Sequence, residues 1–174
     1  AIPYLCVDGF EADDVMGTLA RAHEADLDVV LVTSDKDLMQ LVGDHVTLLD
    51  TMKDKRISYP EVEDKFGCAP ALVPDALGIW GDSSDNIPGV KGIGEKGAKA
   101  LIEQYGTLEE MLEHLPELEP KRTRTALENG VDDAILSKEL ATIVRDVPDV
   151  ELDLDASRLR DYDRFKHWHY LGPG

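Results

Sequence analysis

Apolar residues in the first third of the chain alternate between two spacings. Ile2 to Val7 is a short apolar, partly β-branched run, and from Glu11 to Glu24 the side chains Val15, Met16, Leu19 and Ala20 recur at the spacing of one helical face. Asp28 to Thr33 gives a second apolar strand around Val29-Val30-Leu31-Val32. Ser34 can then cap a short helix that carries Asp35, Asp37, Leu38, Leu41 and Val42, and a third strand runs from Val46 to Leu49. Continuous apolar strands alternating with helices predict an α/β unit, a parallel sheet flanked by helices and buried on both faces. Active groups should gather at the carboxyl ends of its strands.

Past Ile57-Ser58-Tyr59-Pro60 the pattern becomes helical, with segments Pro60 to Phe66, Pro74 to Trp80, Glu95 to Tyr105, Leu108 to His114, Lys121 to Glu128 and Asp132 to Val144 set apart by Pro and Gly. The predicted organisation is an α/β part over residues 1–58 and a helical subdomain over 59–174. Val150 to Leu154 alternates like an edge strand, and Ser157 to Tyr170 reads as a weak final helix.

With 174 residues and 43% hydrophobic content, the chain can bury its own core. No run of about 18 apolar residues is present, and Ala1-Ile2-Pro3-Tyr4 lacks a basic region followed by an apolar one, so a soluble, cytoplasmic protein without a membrane partner is expected. Cys6 and Cys68 have no metal-type spacing and are expected as buried free thiols. The formal net charge of −18 argues against non-specific binding to a polyanion. Its distribution answers part of that objection, because Lys91, Lys96 and Lys99 crowd one glycine-rich turn, with Lys121, Arg122 and Arg124 further on.

Three acidic motifs carry the candidate chemistry. Glu11-Ala12-Asp13-Asp14 follows the first predicted strand, Ser34-Asp35-Lys36-Asp37 follows the second, and Asp82 and Asp85 lie in Gly81-Asp82-Ser83-Ser84-Asp85-Asn86. Parallel topology would bring up to seven carboxylates together: Glu11, Asp13, Asp14, Asp35, Asp37, Asp82 and Asp85. Such crowding raises carboxyl pKa values unless cations neutralise it. Two Mg²⁺ or Mn²⁺ ions about 4 Å apart would do so and would suit hydrolysis of a phosphodiester. Taken singly, the first two motifs could merely complement helix N-termini.

Gly92-Ile93-Gly94-Glu95-Lys96-Gly97 matches the dinucleotide fingerprint formally, yet a polar, proline-containing loop precedes it where that fingerprint needs a strand. Glycines between two helices instead suit a helix–hairpin–helix whose N–H groups grip a nucleic-acid backbone. Gly89, Lys91, Gly92, Gly94, Lys96 and Lys99 are the DNA-binding candidates. His167-x-His169 reads as a solvated terminal pair, and Trp80 as core packing.

Together these motifs resemble, in order and in register from about Ile2 to about Arg145, those of the 5′→3′ exonuclease domain of bacterial DNA polymerase I in the flap endonuclease superfamily. The resemblance implies a PIN-like nuclease core followed by a helix–three-turn–helix element at about 74–105. It implies that the seven carboxylates match metal-site positions, with Asp13, Asp14, Asp35, Asp37 and Asp85 catalytic. It further implies a K⁺ ion at the helical element, removal of DNA flaps or RNA primers at flaps and nicks, and work beside the nucleoid. The family's first sheet strand, further acidic ligands and helical arch have no counterpart in the sequence, so a piece of a larger protein is expected. The remainder of the nuclease domain and a polymerase domain are then its implied covalent partners. Asp8 is not counted as a ligand. Two other readings stay open, a structure-specific DNA-binding module without catalysis and an acidic-cluster ribonuclease.

Overall fold

In the computed structural model, which describes residues 3–158, the stripe of Val15, Leu19 and Ala20 becomes α1 (Ala12–His23), with Asp13 and Asp14 in its first turn and Arg21 and His23 in its last. Acids at the amino end and bases at the carboxyl end complement the helix dipole. The apolar runs become β1 (Val29–Val32) and β2 (Val46–Asp50), joined through a 3₁₀ turn at Asp37–Leu41. They pair in parallel, Val29 opposite Val46 through Val32 opposite Leu49. A third strand, β3 (Lys55–Ile57), then runs antiparallel to β2, with Asp50 opposite Lys55. The buried Asp50 carboxylate makes that reversal by accepting the N–H groups of Met52 and Lys53 at 3.0 and 3.2 Å.

The sheet departs from the sequence expectation in three ways. It is mixed, because β3 runs antiparallel to β2, and with one buried side chain, Ile57, that strand has too little pattern to be read from sequence. It is not buried on both faces, since Val30 and Val32 on β1 are 38% and 60% exposed. Residues 3–7 form no strand: Pro3 has no N–H to donate, Tyr4 is exposed, and no described strand runs alongside. Cys6 is correspondingly exposed rather than buried. Cys68 is buried, and burial pushes its thiol up to about 11.

The helical part comprises α2 (Tyr59–Phe66), α3 (Val73–Trp80), α4 (Glu95–Tyr105), α5 (Leu108–Glu113), α6 (Lys121–Asn129), α7 (Val131–Ala141) and α8 (Leu154–Ser157). α3 is its axis, buried from Val73 to Ile79, and Trp80 at its end stacks on Phe66 with ring centroids 5.2 Å apart. Asp75 is buried in α3 and is satisfied by Lys138 of α7 at 2.6 Å and by the Leu108 N–H at 2.8 Å. A buried charge needs such partners, so this contact fixes α3, α5 and α7 together. Val150–Asp153 is not a strand, and Leu152 and Leu154 instead help line an apolar cleft with Met16, Leu19, Leu27 and Leu31. The expected helix from Ser157 onward and His167-x-His169 lie outside the described residues. No helix among the described residues is long and apolar enough to cross a membrane.

Polar side chains sew the two parts together where the acidic motifs lie. Gln40 donates to the carbonyls of Asp37 and Ala141 at 2.9 and 2.8 Å and accepts the Ile143 N–H at 3.0 Å. Thr18 accepts the Val147 N–H at 3.1 Å. The segment after α7 is thereby held against α1 and the 3₁₀ turn.

Candidate metal centre and nucleic-acid interface

The carboxyl end of β1 passes directly into Thr33-Ser34-Asp35-Lys36-Asp37, whose side chains shape their own turn. Thr33 Oγ1 accepts the Asp35 N–H at 3.0 Å and Asp35 Oδ1 accepts the Asp37 N–H at 2.9 Å. This turn points Asp35 and Asp37 toward a second loop, Gly81–Gly89, that leaves the end of α3. There Asp82 and Ile87 exchange both backbone hydrogen bonds, at 2.9 and 2.8 Å, and Asn86 takes a φ of 60°. Asp82 Oδ1 accepts the Ser84 N–H and Oγ at 3.0 and 2.5 Å. The loop is closed by two glycines in left-handed φ, 76° at Gly81 and 60° at Gly89, packed backbone to backbone. A Cβ at Gly81 would lie 2.7 Å from the Ile87 carbonyl oxygen.

The two loops bring Asp37, Asp82 and Asp85 together, with one carboxylate oxygen from each within 4.8 Å of the others. Asp37 is the informative member, because its Oδ1 is buried without a hydrogen-bond partner among the described residues. Burial, then the neighbouring charge of Asp35, pushes the Asp37 carboxyl up to about 7, against the opposing pull of Lys36. Burial opposes ionisation of Asp82, but hydrogen bonds from Lys36 and Ser84 outweigh it and hold that carboxyl well below the usual range. Asp85 is raised by its hydrogen bond with Asp82, then by burial and the surrounding negative charge. Asp13 joins from α1, raised by burial and then by Asp35, Glu11, Asp14 and Asp85.

Two predicted carboxylates have other engagements. Asp14 Oδ1 accepts the Val144 N–H at 2.9 Å and Oδ2 accepts the Glu11 N–H at 3.1 Å, while Glu11 is the N-cap of α1. Sequence reasoning also passed over Lys36, which hydrogen-bonds Asp82 and lies 3.1 Å from Ser84 Oγ and 3.9 Å from Asp85 Oδ2. Its place between Asp35 and Asp37 was the available signal. Gln40 was missed because nothing local marks a contact spanning a hundred positions.

An orphaned buried carboxylate oxygen next to two further carboxylates is a donor set of hard oxygens, which fits Mg²⁺ or Mn²⁺. Beside it lies a cleft of about 410 Å³ lined by Lys36, Lys65, Trp80, Gly81, Asp82, Ser83 and Glu95. The glycine turn continues from this loop into α4. Gly89 donates to the buried Ser137 Oγ at 2.9 Å, Val90 donates to Ile79 at 2.7 Å, and Gly94 is the N-cap of α4. Lys91, Gly92 and Lys96 are exposed, whereas Lys99 pairs with Glu95 at 2.8 Å.

Residues 1–67 match the family described as 5'-3' exonuclease, N-terminal resolvase-like domain, and residues 68–165 match 5'-3' exonuclease, C-terminal SAM fold. DNA polymerase I of Rhizobium leguminosarum is 46% identical over 156 residues, 89% of this chain and 15% of that protein. DNA polymerase I of Chloroflexus aurantiacus is 46% identical over 171 residues, 94% of this chain and 18% of that protein. The chain thus spans less than a fifth of the length of these relatives. Among solved structures, T5 5'-exonuclease with bound zinc ions superposes with a TM-score of 0.76 at 21% identity, covering 83% of this chain and 54% of that one. A bacteriophage T5 flap endonuclease in a pseudo-enzyme-product complex with DNA and metal ions gives 0.74 at 20% identity, over 82% and 53%. At these identities the likeness is one of fold.

Proposed function

Because the chain belongs to the 5′-3′ exonuclease family, we propose that it is the metal-binding and DNA-gripping part of a 5′→3′ exonuclease and flap endonuclease acting on DNA flaps, nicks and RNA primers. The observation that carries this reading is the unpartnered buried Oδ1 of Asp37 grouped with Asp82 and Asp85. Asp37, Asp82 and Asp85 would hold one divalent ion, with Asp13 and Asp35 extending the set toward a second. Mg²⁺ or Mn²⁺ bound there would supply a nucleophilic water at neutral pH and stabilise charge on the phosphodiester. Asp14 and Glu11 act as positioning groups, the first fixing the start of α1 and the segment after α7.

The remaining residues bind and orient. Lys91 and Lys96 attract phosphates, and the backbone N–H groups near Gly92 and Gly94 fit close to one strand. Carbonyls of the same turn are the position for K⁺. Residues 1–58 then contribute Glu11 through Asp37, and 59–174 contribute Asp82, Asp85 and the glycine turn. The full protein would join this part to a polymerase domain and act in the cytoplasm on nucleoid DNA.

Cleavage of a labelled 5′-flap duplex by the chain in Mg²⁺ and K⁺, with binding in Ca²⁺ measured on the same substrate, tests the reading. EDTA-sensitive cleavage supports catalysis by these carboxylates alone. Binding without cleavage assigns the chain to structure-specific DNA recognition, with chemistry dependent on further segments.

A further inference from the structure

We propose that Lys36 is a built-in counter-cation, filling the divalent-metal position when no metal is bound and leaving it when one enters. The inference rests on the metal-site reading above. The Lys36 ammonium is hydrogen-bonded to Asp82 Oδ2, stands 3.1 Å from Ser84 Oγ and lies 3.9 Å from Asp85 Oδ2. Two of the three carboxylates that could share a metal ion, Asp82 and Asp85, are therefore already in contact with a positive charge. The contact is built in, because Lys36 sits in the same tight turn as Asp35 and Asp37 and its side chain is only 24% exposed.

Without a cation, Asp13, Asp35, Asp37, Asp82 and Asp85 would repel one another at the junction of the two loops. One ammonium with three donors relieves that repulsion at the cost of occupying Asp82 Oδ2. A divalent ion held by Asp37, Asp82 and Asp85 would compete with the ammonium for the same carboxylates, and two cations cannot share them closely without strong repulsion. The adjoining cleft gives the amine somewhere to go, and Glu95, already paired with Lys99, adds negative charge to its wall.

The test measures Mn²⁺ binding to the 174-residue chain without DNA, by calorimetry and by loss of the free-ion spin-resonance signal. Lys36→Met should bind Mn²⁺ about three- to tenfold more tightly than the parent chain, because a like charge no longer competes. Lys36→Arg should remain near the parent. Equal or weaker binding by Lys36→Met while the parent binds Mn²⁺, or an equal gain in Lys36→Arg, overturns the proposal but leaves the metal site standing. Absence of binding in both parent and Lys36→Met overturns the metal site as well. A measurement on the unaltered chain guards against a variant that does not fold. Acetylation of Lys36, followed by mass spectrometry, should be slow in EDTA and several-fold faster in saturating Mn²⁺, as the amine is released. An unchanged rate, or a slower one, sinks the idea.

Discussion

Asp37 carries an electrostatic cost that a bound cation would remove. An acid whose folded pKa is raised favours folding most when protonated, so its contribution is lost as pH climbs from the ordinary carboxylate range and is gone above about 7. The same proton must leave before Asp37 can ligate a metal. Mn²⁺ affinity is therefore expected to rise by about tenfold per pH unit between pH 5.5 and 7 and then level off. Calorimetric titrations at half-unit steps check this, and a flat profile would remove Asp37 from the ligand set. Asp85 lies on the exposed side of the cluster and contributes little to folding contacts. In the complete nuclease, Asp85→Ala should cut flap cleavage by at least about a hundredfold, since even groups supporting a ligand matter ten- to hundredfold. DNA binding in Ca²⁺ should fall far less, and equal losses in the two assays would argue against a role in chemistry.

The loop between α3 and α4 is where backbone geometry decides the outcome. Gly89→Ala would drive a Cβ into the Gly81 amide at a left-handed φ, and we expect about 2–4 kcal/mol of destabilisation in urea unfolding. A loss under about 1 kcal/mol would mean that the loop reorganises freely. On the turn that follows, Lys91→Ala combined with Lys96→Ala should weaken DNA binding and flatten its salt dependence by about two phosphate contacts. An unchanged slope would take the turn out of the phosphate interface. Elements of this kind were legible because periodic apolar spacing and glycine clusters are local: α1, β1, β2, α4 and α7 lie where the pattern placed them. β3 was not, since a three-residue strand with two exposed basic side chains has no period to detect. Residues 3–7 misled for the opposite reason, being apolar in sequence but lacking a described strand to pair with. The acidic motifs were visible, but the engagement of Asp14 with Val144 depends on how the segment after α7 returns.

Across the whole molecule, the acidic junction forms where segments far apart in sequence meet over one continuous apolar core. Gln40, Thr18 and Asp14 bind the segment after α7 to α1 and to the turn bearing Asp37, while Ser137 of α7 holds Gly89. The geometry of the candidate site is thus set by polar contacts at a distance as well as by the loops themselves. The net charge of −18 acts at this scale too. β1 hydrogen-bonds to β2 on one side only among the described residues, and it presents Val30 and Val32 outward. Such a border is a template on which a strand can add, from another segment of the protein or from a second copy, and mutual repulsion between like-charged copies opposes the second at low ionic strength. Light scattering should therefore grow as NaCl is raised toward about 1 M, where the screening length shrinks to about 3 Å. Val32→Lys should suppress that growth, and scattering that is independent of salt or of this substitution would mean that this border does not pair copies of the chain.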